Sequence, residues 1–220
     1  MLRKPVEAAL FDMDGLLLNT EALYIEAMQA AATTLGREMT LDFCHSMVGL
    51  PGPECNLMIA DLYGEGFNIE EFRGLYSGHL RQLMETGIPL KPGVVELLDF
   101  LAGRGLKLAV ATSAGRKSAE HHLERAGLLS RFGALATRDD VERPKPHPSV
   151  YLEAARRLGV APERCLAFED SNIGLEAAHA AGTMAFMVPD LVAPLPESHG
   201  RCLQVVPDLH VVLKLLREHL

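Results

Sequence analysis

Basic residues are in short supply in this 220-residue chain: 21 Lys and Arg stand against 29 Asp and Glu, a formal net charge of −8. A grip on a nucleic-acid backbone needs a clustered basic face, so nucleic acid is not an expected partner. Long uncharged apolar runs are also lacking, and with them any segment fit to span a bilayer. The opening MLRKPVEAALFDMDG has two basic residues, but its apolar stretch runs straight into aspartates with no small-residue cleavage site, so no secretory signal is expected. Cysteine is sparse. Cys44, Cys55, Cys165 and Cys202 form neither a CxxC pair nor the short spacings of a disulfide framework. Reduced, buried thiols in a cytoplasmic protein are the expectation. Internal repeats, low-complexity tracts and long charge runs are missing too, and nothing indicates an obligate protein partner.

Hydrophobic residues, at 48%, suffice for a substantial core. Short apolar runs recur at 8–11 (AALF), 106–112 (LKLAVAT), 134–137 (ALAT), 165–169 (CLAFE) and 184–188 (MAFMV), and amphipathic segments separate them. In GVVELLDFLAG (93–103), Val94, Leu97, Leu98 and Leu101 fall on one helical stripe that ends at a glycine. SVYLEAARRLG (149–159) and NIGLEAAHAAG (172–182) repeat the pattern, and VVLKLLREHL reads as a closing C-terminal helix. Alternation of this kind predicts an α/β fold, a Rossmann-like parallel sheet with helices on both faces.

Residues 20–88 break the rhythm, with helix-like patterns, turns at LPGPE and YGEG and no convincing strand. The expected organisation is a core of residues 1–19 and 89–220 with an inserted helical domain at 20–88. Gly87, Pro89, Pro92 and Gly93 punctuate its exit beside its entrance, as a hinge requires.

Parallel open sheets bind ligands at the carboxyl ends of their strands. There the chain offers Asp12-Met13-Asp14-Gly15, Thr112-Ser113-Ala114-Gly115, Arg143-Pro144-Lys145-Pro146 and Glu169-Asp170-Ser171-Asn172. Singly, each stretch reads as turn formers, helix caps or a proline-stiffened loop. Jointly, each at a strand end, they fit phosphoryl transfer through a covalent aspartyl phosphate. Carboxylates from two loops make a hard oxygen site of the kind Mg²⁺ prefers, which also lets Asp12 stay ionised near Asp14 and Asp170. Lys145 adds a second positive charge, Thr112 and nearby backbone N–H groups hold a phosphate oxygen, and Asp14 does the acid and base work.

With FDMDG, AVATS, RPKPHP and LAFEDSNIG in this order, the chain resembles the haloacid dehalogenase-like hydrolase superfamily over nearly its whole length. The resemblance implies Asp12 as nucleophile, Asp14 as acid/base, Thr112 with Ser113 as phosphate-binding residues and Lys145 as charge stabiliser. It implies a Mg²⁺ site made of Asp12, the Asp14 main-chain carbonyl, Asp170 and Glu169. It also implies that residues 20–88 are a helical cap and that the substrate is a small phosphate ester.

Within that superfamily, dehalogenases lack the second aspartate, so Asp14 argues against them. Phosphonatases rely on a cap lysine, and no lysine occurs between Lys4 and Lys91. β-Phosphoglucomutases carry a cap arginine where this chain has Gly49-Leu50-Pro51-Gly52, which favours hydrolysis over mutase return, although Arg73 or Arg81 leaves the mutase open as an alternative. A non-catalytic phospho-ligand binder is the other alternative. The wording DMDGLLLNTE and CLAFEDSNIGLEAAHAAG, followed by FMVPD, resembles helical-cap phosphatases of sugar or nucleotide-like phosphates, including the pseudouridine-5′-phosphatase type. Such proteins usually have Asp where this chain has Asn19, so altered cap anchoring or specificity is expected there. Tyr24, Leu23 and Leu50 are candidate contacts to the substrate body. The His121-His122 pair reads as a solvated helix face, because adjacent helical residues diverge by about 100° and do not chelate one ion.

Overall fold

The computed structural model describes residues 4–47, 50 and 52–220. In chain order the elements are β1 (Ala8–Phe11), α1 (Thr20–Thr34), α2 (Leu41–Ser46), α3 (Gly52–Tyr63), α4 (Ile69–Thr86), α5 (Val94–Gly103), β2 (Lys107–Ala111), α6 (Arg116–Arg125), β3 (Ala134–Ala136), α7 (Ser149–Leu158), β4 (Cys165–Glu169), α8 (Asn172–Ala180), β5 (Met184–Met187), α9 (Ser198–Arg201), β6 (Gln204–Val205) and α10 (Leu209–Arg217). Two compact units result: one of residues 1–19 and 89–220, the other of residues 20–88.

The first unit holds a six-stranded sheet in the order β3-β2-β1-β4-β5-β6, and every pair is parallel. Alternate residues of a strand point to opposite faces. Ala8, Leu10, Ala109, Ala111, Cys165, Ala167, Ala185 and Met187 therefore share one face, and their small side chains let α7 and α8 pack close through Val150, Tyr151, Ala154, Leu175 and Ala178. On the other face the register sets Phe11 opposite Phe168 and Phe168 opposite Phe186. Their rings stack at 4.7 and 5.8 Å between centroids, pairs that add about 0.5–1.5 kcal/mol each beyond their buried area. Helix α5 packs on β2 and on α10. Its stripe Val94, Leu97, Leu98 and Leu101 is fully buried. Gly103 lies inside α5, and the left-handed turn comes two residues later at Gly105. Strand β6, only two residues long, was not expected from the sequence.

The chain leaves this unit after Asn19 and re-enters it at Pro89. The Asn19 amide donates to the Pro89 carbonyl at 2.8 Å, Leu18 pairs with Leu90 as an antiparallel bridge, and the Lys91 amide donates to the Leu17 carbonyl at 3.0 Å.

The helical unit packs α1 against α4. Its own core gathers Ile25, Ala31, Ala32, Met39, Cys44, Met47, Ile59 and Phe72. Thr40 caps α2 and Asn68 caps α4, each side chain accepting a backbone N–H three residues on. The unit carries a partly open cavity of 620 Å³ whose lining includes Tyr24, Met28, Met47, Leu50, Arg73 and Tyr76. Of the turn Gly49-Leu50-Pro51-Gly52, Gly49 and Pro51 lie outside the described residues. All four cysteines are free; Cys44 and Cys165 are buried as expected, whereas Cys55 and Cys202 are only partly covered. Among the described residues no helix is long and apolar enough to cross a membrane.

Candidate active site

Because β2 and β4 flank β1 on opposite sides, the chain reverses its direction of growth at β1, and the loops after these strands open at one crevice. Strand β1 ends at Phe11, and Gly15, at φ +80°, turns the backbone in a conformation that L side chains rarely adopt. Leu17 and Leu18 amides donate back to the Met13 carbonyl, closing the turn. The two aspartates therefore do not continue a strand. Asp12 is buried and held by its own amide, which donates to the Phe168 carbonyl at 3.0 Å. Asp14, half-buried, is still close enough for its charge to be felt at Asp12.

Lys145 comes from the proline-rich loop before α7, and only 6% of its side chain is exposed. Its Nζ donates to Asp12 Oδ1 at 2.5 Å and to Glu169 Oε1 at 2.6 Å. Burial works against its charge, but Asp12 and then Glu169 outweigh burial and raise its pKa above the usual lysine value. Glu169 is fully buried. Tyr151 Oη donates to Glu169 Oε1 at 2.6 Å, and Ser171 Oγ donates to Glu169 Oε2 at 3.2 Å.

Asp12, Glu169 and Asp170 each turn one oxygen to a common point, all within 4.8 Å of one another. Burial raises the Asp12 carboxyl to about 7, with Lys145 pulling the other way and Glu169 pushing with burial. Asp170 rises further, to about 9, through burial first and then the nearby Asp12 and Glu169. Asp190 stands beside it. One oxygen of Asp190 accepts from Lys91 Nζ at 2.6 Å, while Oδ2 is buried without a hydrogen-bond partner. A point one Cβ out from Gly15 lies 2.4 Å from Asp170 Oδ2 and 3.4 Å from Asp190 Oδ2. Buried carboxylates that share so little positive charge fit a hard divalent cation.

Thr112, buried at the end of β2, accepts the Ala114 amide through Oγ1 at 3.0 Å, which leaves its hydroxyl proton to donate elsewhere. Ser113 is exposed. Asn19 lies at the exit of the first unit, whereas Tyr24 and Leu50 line the cavity of the helical unit and Leu23 is buried in that unit. The expectation for the histidine pair holds for His121, which is exposed, and fails for His122, which is buried with Nδ1 lacking a partner. His122 follows Ala119 by three residues on the inward stripe of α6. Sequence reasoning also missed Tyr151 and Asp190. Tyr151 was hidden in a helical core stripe, although a phenol among Val, Ala and Leu is itself a signal of a buried acceptor.

A model described as haloacid dehalogenase-like hydrolase matches residues 9–188. The phosphorylated carbohydrates phosphatase of Thermotoga maritima is 35% identical over 177 residues, which span 80% of this chain and 82% of that protein. Hexitol phosphatase B of Escherichia coli is 31% identical over 190 residues, 84% of this chain and 85% of the other. A solved HAD family hydrolase from Deinococcus radiodurans R1, with bound phosphate and sodium, matches with a TM-score of 0.86 at 25% identity, covering 97% of this chain and 96% of its own. With the family model matching residues 9–188 and relatives above 30% identity aligned over four-fifths of its length, the chain belongs to the haloacid dehalogenase-like hydrolase family.

Proposed function

We propose that the protein is a Mg²⁺-dependent phosphomonoesterase that hydrolyses a small sugar phosphate or nucleotide-like phosphate through an aspartyl-phosphate intermediate. The observation that carries this reading is Lys145 held between Asp12 and Glu169 beside Asp170. A bound Mg²⁺, held by Asp12, the Asp14 main-chain carbonyl and Asp170 with Glu169 at its side, would supply positive charge against the repulsion between carboxylate and phosphate. Asp12 attacks phosphorus; Lys145 favours its ionised form and neutralises charge on the phosphoryl oxygens. The Thr112 hydroxyl donates to one of those oxygens. Asp14 gives a proton to the leaving oxygen and later takes one from the water that releases phosphate from Asp12.

The phosphatases named above act on phosphorylated carbohydrates and on a hexitol phosphate by their names, which supports the same substrate class here. Residues 20–88 are read as the cap, with Asn19 and Leu50 the positions at which substrate choice is tested. The test is a phosphate-release screen over sugar phosphates, nucleoside monophosphates and p-nitrophenyl phosphate, with Mg²⁺ or EDTA. Release with Mg²⁺, none with EDTA and none in Asp12→Asn supports the reading. Primer-dependent isomerisation of glucose 1-phosphate faster than hydrolysis would replace it with a mutase, and tight binding without turnover with a phospho-ligand binder.

A further inference from the structure

Tyr151 is completely buried on α7, in the middle of a stripe that otherwise holds Val150, Ala154, Ala155 and Leu158. A phenylalanine would fill the same space without burying a hydroxyl, and a buried hydroxyl is costly unless bonded. Here it is bonded, to Glu169 Oε1, the same oxygen that accepts Lys145 Nζ, both at 2.6 Å. The tyrosine ring meets the lysine a second time, with Nζ 5.0 Å from the ring centroid. The other Glu169 oxygen takes Ser171 Oγ, and a Cβ added to Gly174 would lie 2.0 Å from both carboxylate oxygens, so the carboxylate has no room to swing toward α8.

Two carboxylates thus compete for one ammonium group, and Glu169 Oε1 shares its lone pairs between two donors. An acceptor that loses one donor draws the remaining one closer. Resting on the phosphatase reading, we propose that Tyr151 is a positioning residue for Lys145. Its hydroxyl occupies part of Glu169, weakens that carboxylate's hold on the ammonium, and leaves Lys145 available to Asp12 and to a phosphoryl group.

The test compares wild type with Tyr151→Phe, which keeps the ring and removes only the hydroxyl. The expected result with p-nitrophenyl phosphate and Mg²⁺ is a roughly tenfold fall in kcat with KM changed less than twofold, the size of one charge-linked hydrogen bond. Calorimetric affinity for Mg²⁺ alone should stay within twofold of wild type. In a Glu169→Gln background the same substitution should cost less than twofold, because its effect passes through that carboxylate. Hydrolysis by Tyr151→Phe within twofold of wild type, a lost Mg²⁺ affinity, or losses that multiply in the double variant each overturn the proposal. Should Glu169→Gln fail to fold by thermal melt, the first two measurements decide. If the wild type releases no phosphate, the phosphatase reading falls by itself. Orthovanadate affinity in the presence of Mg²⁺ then reads Tyr151, expected about tenfold weaker in Tyr151→Phe and overturning the proposal if equal, a binding change tied to the same hydrogen bond.

Discussion

Lys145 Nζ lies 2.5 Å from Asp12 Oδ1 although 133 residues separate them in the chain. The pair is almost dry, so neither charge has water to fall back on. Replacing Lys145 with methionine keeps the stem and removes the ammonium. Loss of one such charge donor at a phosphoryl site should lower kcat by about 10²–10³-fold. Steady-state hydrolysis decides it, and a loss below fivefold would remove Lys145 from the chemistry.

Raised carboxyl pKa values make the stability of the ion-free protein depend on pH in a definite direction. Asp12 and Asp170 start from 3.8 and rise to about 7 and about 9, so the folded protein holds more protons than the unfolded one between these values. Their contribution is complete below the unfolded value and is lost as pH rises through the folded ones. In EDTA the melting temperature of wild type should therefore fall relative to Asp170→Asn between pH 5 and pH 9. Millimolar Mg²⁺ should restore it, most of all at pH 9, since a cation binds the ionised form. A gap between the two proteins that does not change with pH in EDTA contradicts this.

Gly174 opens the first turn of α8, where Ser171 caps the helix by accepting the Gly174 amide at 3.1 Å. Its missing side chain leaves the space that the Glu169 carboxylate fills. Alanine there forces the carboxylate off Lys145, Tyr151 and Ser171 together. Overpacking of this kind costs about 1–3 kcal/mol, and activity should fall with it. Denaturant unfolding and hydrolysis measured on Gly174→Ala check both; unchanged values in the two assays would mean that Glu169 moves freely.

Asp140 joins two helices, α6 and α7. It accepts Arg116 at 2.5 Å from α6 and Arg157 at 2.8 Å from α7, along with the Thr137 amide and hydroxyl. Burial raises its pKa, but the donors from Thr137, Arg157 and Arg116 outweigh it and hold the carboxyl well below 3.8. A depressed carboxyl stabilises above its unfolded pKa and loses that contribution as pH falls toward its folded one. Asp140→Asn should cost about 2 kcal/mol at pH 7, the scale of hydrogen bonds to a charged group. The difference from wild type should shrink below pH 3. A difference independent of pH would assign the loss to packing.

The sheet and its rim were legible because their signals are local. AALF and CLAFE match β1 and β4 residue for residue, and each runs directly into acidic residues at its carboxyl end. Strand β6 was not legible, since Gln204 and Val205 are too short a run to show a period and pair only along the β5 edge. Asp190 is illegible for a different reason. Its partner Lys91 is 99 residues away, and no local pattern announces an ion pair that only the fold assembles. For His122 the adjacent pair 121, 122 misleads; the spacing 119, 122, 123 marks the buried stripe of α6 better.

Because the Asn19 amide and the Pro89 carbonyl are already joined at 2.8 Å, the 69 residues of the second unit amount to a long excursion whose ends never part. Closing such an excursion costs almost the same whether it is long or short, since the entropy grows only with the logarithm of its length. The sheet is therefore indifferent to the size of what is spliced in at this point, and the helical unit could lengthen or shorten without unsettling the acidic rim.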